Sequence, residues 1–207
     1  MIDFLTVVIF PYLVGSFNFA YLVSQINNTD ISNEGSGNPG SANVLRTLGK
    51  KAAIFVLIAD ILKGFLIPYS VSLINPTYEI YFGVELIVFS GFFVVLGHCF
   101  PIYYKFKGGK GVATFVGFIV YLIFLHYFLN LYWLVFLIGT YLLVLKITKV
   151  SAISSLTIVV ISCFMFYQYL IEVSFNNFLF YLLLVFLIIG KHSDNFNRMI
   201  KGDENKF

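Results

Sequence analysis

Apolar runs near 2–26, 52–72, 80–100, 112–127, 131–146, 152–170 and 174–190 fill most of this chain, parted by polar breaks. About 20 apolar residues, with a range of roughly 17 to 25, cross a bilayer as a helix. In hydrocarbon a backbone must satisfy its own hydrogen bonds, which a helix does within one segment. The expected fold is therefore all-α, a polytopic membrane helix bundle of about seven transmembrane helices. Only His126 to Asn130 parts the fourth run from the fifth, and a re-entrant hairpin there would leave five spans. Composition agrees: 59% of the 207 residues are hydrophobic and 11% charged, far from the balance of a soluble domain. No polar stretch is long enough to enclose a second core, so 1–207 reads as one integral membrane domain. The start, Phe4 to Val14, has no basic leader or small-residue cleavage site and reads as a retained span. Cys99 and Cys163 differ in depth, which disfavours a disulfide, and two cysteines make no metal framework.

Charge sets the orientation. With seven spans, Arg46, Lys50, Lys51, Lys105, Lys107, Lys110, Lys146, Lys149, Lys191, Arg198, Lys201 and Lys206 fall on one side. The opposite loops hold Glu79, Glu85 and Glu172 but neither lysine nor arginine. Basic loops stay cytoplasmic, so the N-terminus is expected outside and the C-terminus in the cytoplasm. Asp60 and Lys63 lie three apart inside the second span, a depth at which charges pair or face a polar cavity. A structural ion pair is the first reading of them. His126 lies near the outer surface and needs no special role.

The polar motifs gather on the cytoplasmic side. The first inner loop, Asn27 to Asn43, is rich in Gly, Ser and Asn, and Arg46 follows it. Glycines let successive N–H groups converge into an anion-binding concavity, and Arg46 offers a planar fork for phosphate oxygens. A flexible connector explains the loop equally well. The second loop is sharper: Phe106-Lys107-Gly108-Gly109-Lys110-Gly111-Val112-Ala113-Thr114 runs straight into a helix N-terminus. Free N–H groups and the positive end of the helix dipole converge there. The spacing of a nucleotide P-loop is absent. A basic patch for anionic lipid accounts for the lysines but not for three glycines in four positions; phosphate binding is favoured. Ser151 suits a helix N-cap, and Ser154, three residues on, could share its cavity. After the last span, His192 and Asn195 would share a helix face.

Four ordered blocks carry a resemblance. These are Gly35-Ser36-Gly37-Asn38 with Asn43 and Arg46; Gly97-His98-x-Phe100-Pro101; Phe106 to Thr114; and His192-x-x-Asn195. Asp60-x-x-Lys63-Gly64 and Lys201-Gly202-x-Glu204 belong to the same pattern. Together they resemble the bacterial acyl-phosphate-dependent glycerol-3-phosphate acyltransferases over nearly the whole chain. The resemblance implies transfer of a fatty acyl group from acyl phosphate to the 1-hydroxyl of glycerol 3-phosphate, giving lysophosphatidic acid, the first intermediate of phospholipid synthesis. It implies His192, Asn195, Arg46 and Lys110 as catalytic residues. Substrate-binding roles fall to Ser36, Gly37, Asn38, Asn43, Gly108, Gly109, Gly111 and Ser154, and Glu204 is expected to be structural. No cofactor, metal or nucleic acid is expected. The partners are the two substrates and membrane lipid, the site is the cytoplasmic face of a bacterial plasma membrane, and the expected assembly is a monomer. Three positions depart from the pattern: Ser32 stands where the family often has Arg, Gly40-Ser41-Ala42-Asn43 replaces Gly-Ala-Thr-Asn, and Asn18 replaces a proline. Either His192 or the acceptor's own phosphate could serve as base. A small-anion transporter is the rival from another class, although its site would be expected near the midplane.

Overall fold

A computed structural model describes residues 5–74, 80–81, 84–126 and 131–206; at Ile80, Tyr81, Leu125 and His126 only the backbone is described. Glu79 and most of the break between the fourth and fifth runs lie outside these residues, as does any side-chain role for His126. The helices are α1 (Phe10–Ser16), α2 (Phe19–Ile26), α3 (Ser41–Thr47) and α4 (Lys50–Ile74). They continue as α5 (Leu86–Cys99), α6 (Val112–Tyr121), α7 (Tyr132–Thr148), α8 (Ser151–Val173), α9 (Phe175–Gly190) and α10 (Ser193–Lys201). A short hairpin, β1 (Ile80–Tyr81) with β2 (Val84–Glu85), precedes α5. The third apolar run thus begins as a hairpin, and its helix starts only at Leu86.

Among the described residues the regular structure is all helical apart from that hairpin, and a helical segment lies within each of the seven apolar runs. Among the described residues, four segments are long and apolar enough to cross a membrane, or five if α9 and α10, bent by 42° at their junction, form one span. Val112–Phe124 and Tyr132–Thr148 are shorter apolar helices. Phe55, Ile58, Phe136, Leu143, Phe164 and Phe186 stand exposed on the bundle surface. Such a coat is tolerable in lipid and not in water.

The first run is broken. α1 ends at Phe17, and α2 restarts on Asn18, whose Oδ1 accepts from the N–H groups of Ala20 (3.0 Å) and Tyr21 (3.2 Å). Asn18 Nδ2 donates to Pro39 O at 3.2 Å, tying the break to the inner loop. The departure at this position therefore supplies an N-cap where a proline would supply only a fixed φ. The carbonyls freed at the end of α1 are taken by Lys63, whose Nζ donates to Gly15 O (3.1 Å) and Phe17 O (2.9 Å). Asp60 balances that charge at 2.8 Å. The expected ion pair is present, and it also closes a helix end.

Two helix crossings use the same device. On α4 and α6, a Cβ at Gly64 would overlap the Thr114 carbonyl, and one at Gly117 would overlap the Ile61 carbonyl. On α1 and α5, Gly15 meets the Val94 carbonyl and Gly97 the Tyr12 carbonyl. Each glycine lies three residues beyond the carbonyl that its partner's glycine contacts. Lipid gives little hydrophobic drive between helices, so close backbone approach at small residues is what binds them. At the other end of the bundle, Asn177 Nδ2 donates to Glu85 Oε2 (2.9 Å) and Glu85 N to Asn177 Oδ1 (2.8 Å), locking the hairpin to α9. Both cysteines are free. Replacing Gly117 by Leu is expected to cost about 2–3 kcal/mol through overpacking, read as lowered thermal stability in detergent. Gly139→Leu, where a side chain meets open space, should stay within about 0.5 kcal/mol. Equal losses would show that the crossing is not sterically tight.

Candidate active site

The inner loop is built around Asn43. Its Oδ1 accepts from Ser36 N at 2.9 Å, and its Nδ2 donates to Glu34 O at 2.8 Å and Ile31 O at 3.4 Å. Gly35 and Gly37 adopt positive φ within the fold so made, which glycine does without a steric penalty. Asp30 closes the loop's entry by accepting from Ser32 N (3.0 Å), Ser32 Oγ (2.7 Å) and Asn33 Nδ2 (2.8 Å). The serine that replaces an arginine at 32 is thus spent locally. Ser36 Oγ accepts from Arg46 Nη2 at 3.5 Å.

The glycine turn packs on the end of α5. A side chain at Gly108 would overlap the His98 carbonyl and Pro101, one at Gly109 would overlap the His98 ring, and Gly111 sits at φ 84 against Cys99. The preceding segment is pinned by Tyr21, which stacks on Tyr104 (4.3 Å) and donates from its hydroxyl to Lys107 O (3.1 Å). Lys110 therefore leaves a rigid turn. Its Nζ donates to Asn195 Oδ1 on α10. Asn195 Nδ2 donates to Glu204 Oε1 (2.9 Å), and Arg198 Nε to Glu204 Oε2 (3.0 Å). Arg46 lies within electrostatic reach of Glu204, Arg198 and Lys110. Burial, with Arg198 adding to it, pulls the Lys110 ammonium down to about 8. Arg46, Lys110 and Arg198 are thus crowded together with Glu204 and Asp194 as the nearby carboxylates, an arrangement that an anion would relieve.

A cavity of about 340 Å³ starts here. Asn38, Ser41, Lys110, Gly111, His98 and His192 line its polar end. Val116, Ile119, Leu134, Leu137, Ile138 and Ile158 continue it as an apolar groove among α6, α7 and α8. Leu57 on α4 and Ile138 and Leu142 on α7 line it while exposed on the bundle surface, so the groove opens sideways between these helices. His192 Nδ1 bonds Ile188 O at 2.7 Å, which makes Nδ1 the donor and leaves the Nε2 lone pair free. Burial pushes this imidazole down to about 4, with Lys110 adding to the shift.

Of the residues read from the sequence, Arg46, Lys110, His192 and Asn195 come to one region with Ser36, Asn38 and the glycine turn. Asn43 is engaged with its own loop. Ser154 is fully buried, with its hydroxyl donating to Val150 O at 3.2 Å, whereas Ser151 and Ser155 line the cavity. Sequence reasoning passed over Arg198, although His192, Asn195 and Arg198 recur at intervals of three, one face of a helix. It also left His98 without a role. No signal in the sequence marks the groove-lining residues among so many apolar ones.

Fold and site together define an integral membrane protein with a basic, glycine-lined pocket that opens on an apolar groove. A family model described as glycerol-3-phosphate acyltransferase matches residues 5–202. A protein of that description from Coxiella burnetii (strain RSA 493 / Nine Mile phase I) is 37% identical over 206 residues, covering 98% of this chain and 97% of its own. One from Aquifex aeolicus (strain VF5) is 36% identical over 208 residues, covering 98% of each. The crystal structure of PlsY, an integral membrane glycerol 3-phosphate acyltransferase, in its glycerol 3-phosphate form matches with a TM-score of 0.83 and 30% identity, over 98% of this chain and 94% of that one. Its lysophosphatidic acid form matches at 0.80 and 29%. This chain belongs to the glycerol-3-phosphate acyltransferase family.

The Lys110 environment makes a measurable statement. Sulfate, a dianion at all pH values of interest, should bind the purified protein more weakly as pH rises through about 8 and the ammonium is lost. In Lys110→Arg binding should stay level to pH 9, because a guanidinium does not titrate there. A level wild-type curve by titration calorimetry would exclude Lys110 as the titrating cation.

Proposed function

We propose that this chain transfers a fatty acyl group from acyl phosphate to the 1-hydroxyl of glycerol 3-phosphate, releasing lysophosphatidic acid and inorganic phosphate at the start of phospholipid synthesis. The observation that carries the proposal is the single cavity joining a basic, glycine-lined end to an apolar groove open at the side. An amphiphilic phosphate fits such a shape, its chain along the groove and its phosphate at Lys110 and the glycine turn. A hydrated small anion gains nothing from so long an apolar wall, which disfavours the transporter reading.

An acyl phosphate is a mixed anhydride with a good leaving group, so the hydroxyl oxygen attacks the carbonyl carbon directly. The ester bond forms, the bond from carbonyl carbon to phosphate oxygen breaks, and the hydroxyl proton passes to a phosphate. The protein supplies proximity by holding two phosphates together, and Arg46 and Lys110 offset the charge on carbonyl and leaving oxygens. An imidazole held near 4 is a poor base at neutral pH. His192 instead accepts a hydrogen bond from the substrate hydroxyl and aims it, which leaves the proton to phosphate. Purified protein given palmitoyl phosphate and glycerol 3-phosphate should release phosphate and lysophosphatidic acid in equal amounts, with no product from palmitoyl-CoA; the reverse preference would overturn the donor assignment. In the same assay His192→Ala should act mainly on half-saturation by glycerol 3-phosphate, whereas a turnover loss of about 10²-fold or more would make His192 the base.

The one-sided lysines and arginines support seven spans in a single domain over 1–207, with the N-terminus outside, the C-terminus in the cytoplasm and the site on the cytoplasmic face of a bacterial plasma membrane. The expected assembly is a monomer. An impermeant maleimide should label Glu172→Cys in intact cells and Lys206→Cys only after permeabilisation. Labelling of Lys206→Cys in intact cells would invert the orientation.

A further inference from the structure

Asp60 and Lys63 of α4 and His98 of α5 meet in the bundle interior, each at most 5% exposed. Lys63 Nζ lies 2.8 Å from Asp60 Oδ1 and 3.0 Å from His98 Nδ1. An ammonium has only donors, so that approach requires Nδ1 to accept. A neutral imidazole accepting at Nδ1 carries its proton on Nε2. The other neighbour of Nδ1, Asp60 Oδ1, is farther away at 3.4 Å. The buried pair therefore selects one tautomer of the ring.

The Nε2–H so defined has no hydrogen-bond acceptor among the described residues. It lies against Gly109, where a Cβ would overlap it, and His98 lines the polar end of the cavity. A donor at the cavity wall with no protein acceptor is open to a ligand's oxygen, and this one faces the turn that presents Gly108, Gly109 and Lys110. Asp60 lines the same cavity but is neutralised by Lys63, so it does not repel an anion there. Lys110 and His192 border the pocket on the α10 side, with Asn195 holding Lys110. His98 borders it on the α4–α5 side, beside Leu57 and Ile61, where the apolar groove begins.

We propose that His98 donates from Nε2–H to a phosphoryl oxygen of the acyl phosphate seated in the glycine turn, and that Asp60 and Lys63 are positioning residues that hold the ring in the donating tautomer. This rests on the acyl phosphate reading above. It also gives Gly109 a reason to lack a side chain, since any Cβ would take the space in which ring and phosphate meet.

The test is steady-state kinetics with each substrate varied in turn, wild-type protein alongside. His98→Asn keeps a polar atom near the Nδ1 position and removes the Nε2 donor; His98→Gln places an amide where Nε2 stood. His98→Asn should raise KM for acyl phosphate about tenfold or more, the scale of one hydrogen bond to a charged group. KM for glycerol 3-phosphate should stay within about threefold, and His98→Gln should recover most of the loss. A lowered Tm and active fraction with both KM values unchanged would mark His98 as structural and overturn the proposal, as would an equal rise in both. If His98→Asn does not fold, His98→Gln decides: KM for acyl phosphate near the wild-type value supports the proposal, and a tenfold rise rejects it. Wild-type protein inert towards acyl phosphate would overturn the donor assignment first and this inference with it.

Discussion

The ammonium of Lys63 holds the rest of the arrangement in place. A helix that stops inside the bundle leaves carbonyls unsatisfied where lipid offers no hydrogen bonds. Lys63 takes two of them, at Gly15 and Phe17, and Asp60 makes its charge tolerable at that depth. With the end of α1 closed, the chain can turn at Asn18, whose side chain caps α2 and grips the inner loop at Pro39. The same ammonium orients His98. A buried ion pair adds little to stability on balance. Its value here is geometric, fixing where a helix breaks and how a ring is protonated.

The glycines follow a related logic at two scales. At Gly64, Gly117, Gly15 and Gly97 the missing side chain lets one backbone press on another. These crossings hold α4 and α6, and α1 and α5, close together. In the loop from Gly108 to Gly111 the missing side chains let the turn close onto the end of α5. Rigid crossings support a rigid turn, so the Lys110 position is set before any ligand arrives. Glu204 completes the site by holding Asn195 and Arg198 among cations that would otherwise repel one another. Crowded positive charge makes the pocket receptive to an anion, and the adjoining groove makes it receptive to an amphiphilic one.

Much of this was legible in the chain. The apolar runs located the helices because a backbone in hydrocarbon has few options, and the glycine-lysine turn stood out through residue types suited to an anion. Arg46, Lys110, His192 and Asn195 are conspicuous as polar groups at the ends of apolar runs, and the structure brings them to one region. Ser154 was misplaced by a single helical step: Ser151 and Ser155 face the cavity while Ser154 turns inward to Val150. One residue of rotation, about 100° on a helix, decides this, and sequence spacing does not resolve it. Hydropathy alone places the start of the third run in a helix, where a hairpin forms instead, held by Asn177, a partner 92 residues away.

By itself the sequence determined the helical architecture, the gathering of cationic and glycine-rich segments at polar breaks, and the chemistry those segments offer. These are local properties, fixed by hydropathy and residue type. The tertiary structure alone decided that α1 breaks onto Lys63, that α6, α7 and α8 leave a groove, and that His98 points its ring at Gly109. Each depends on distances between residues far apart in the chain, set by how closely helices approach, and no pattern of neighbours along the sequence encodes them.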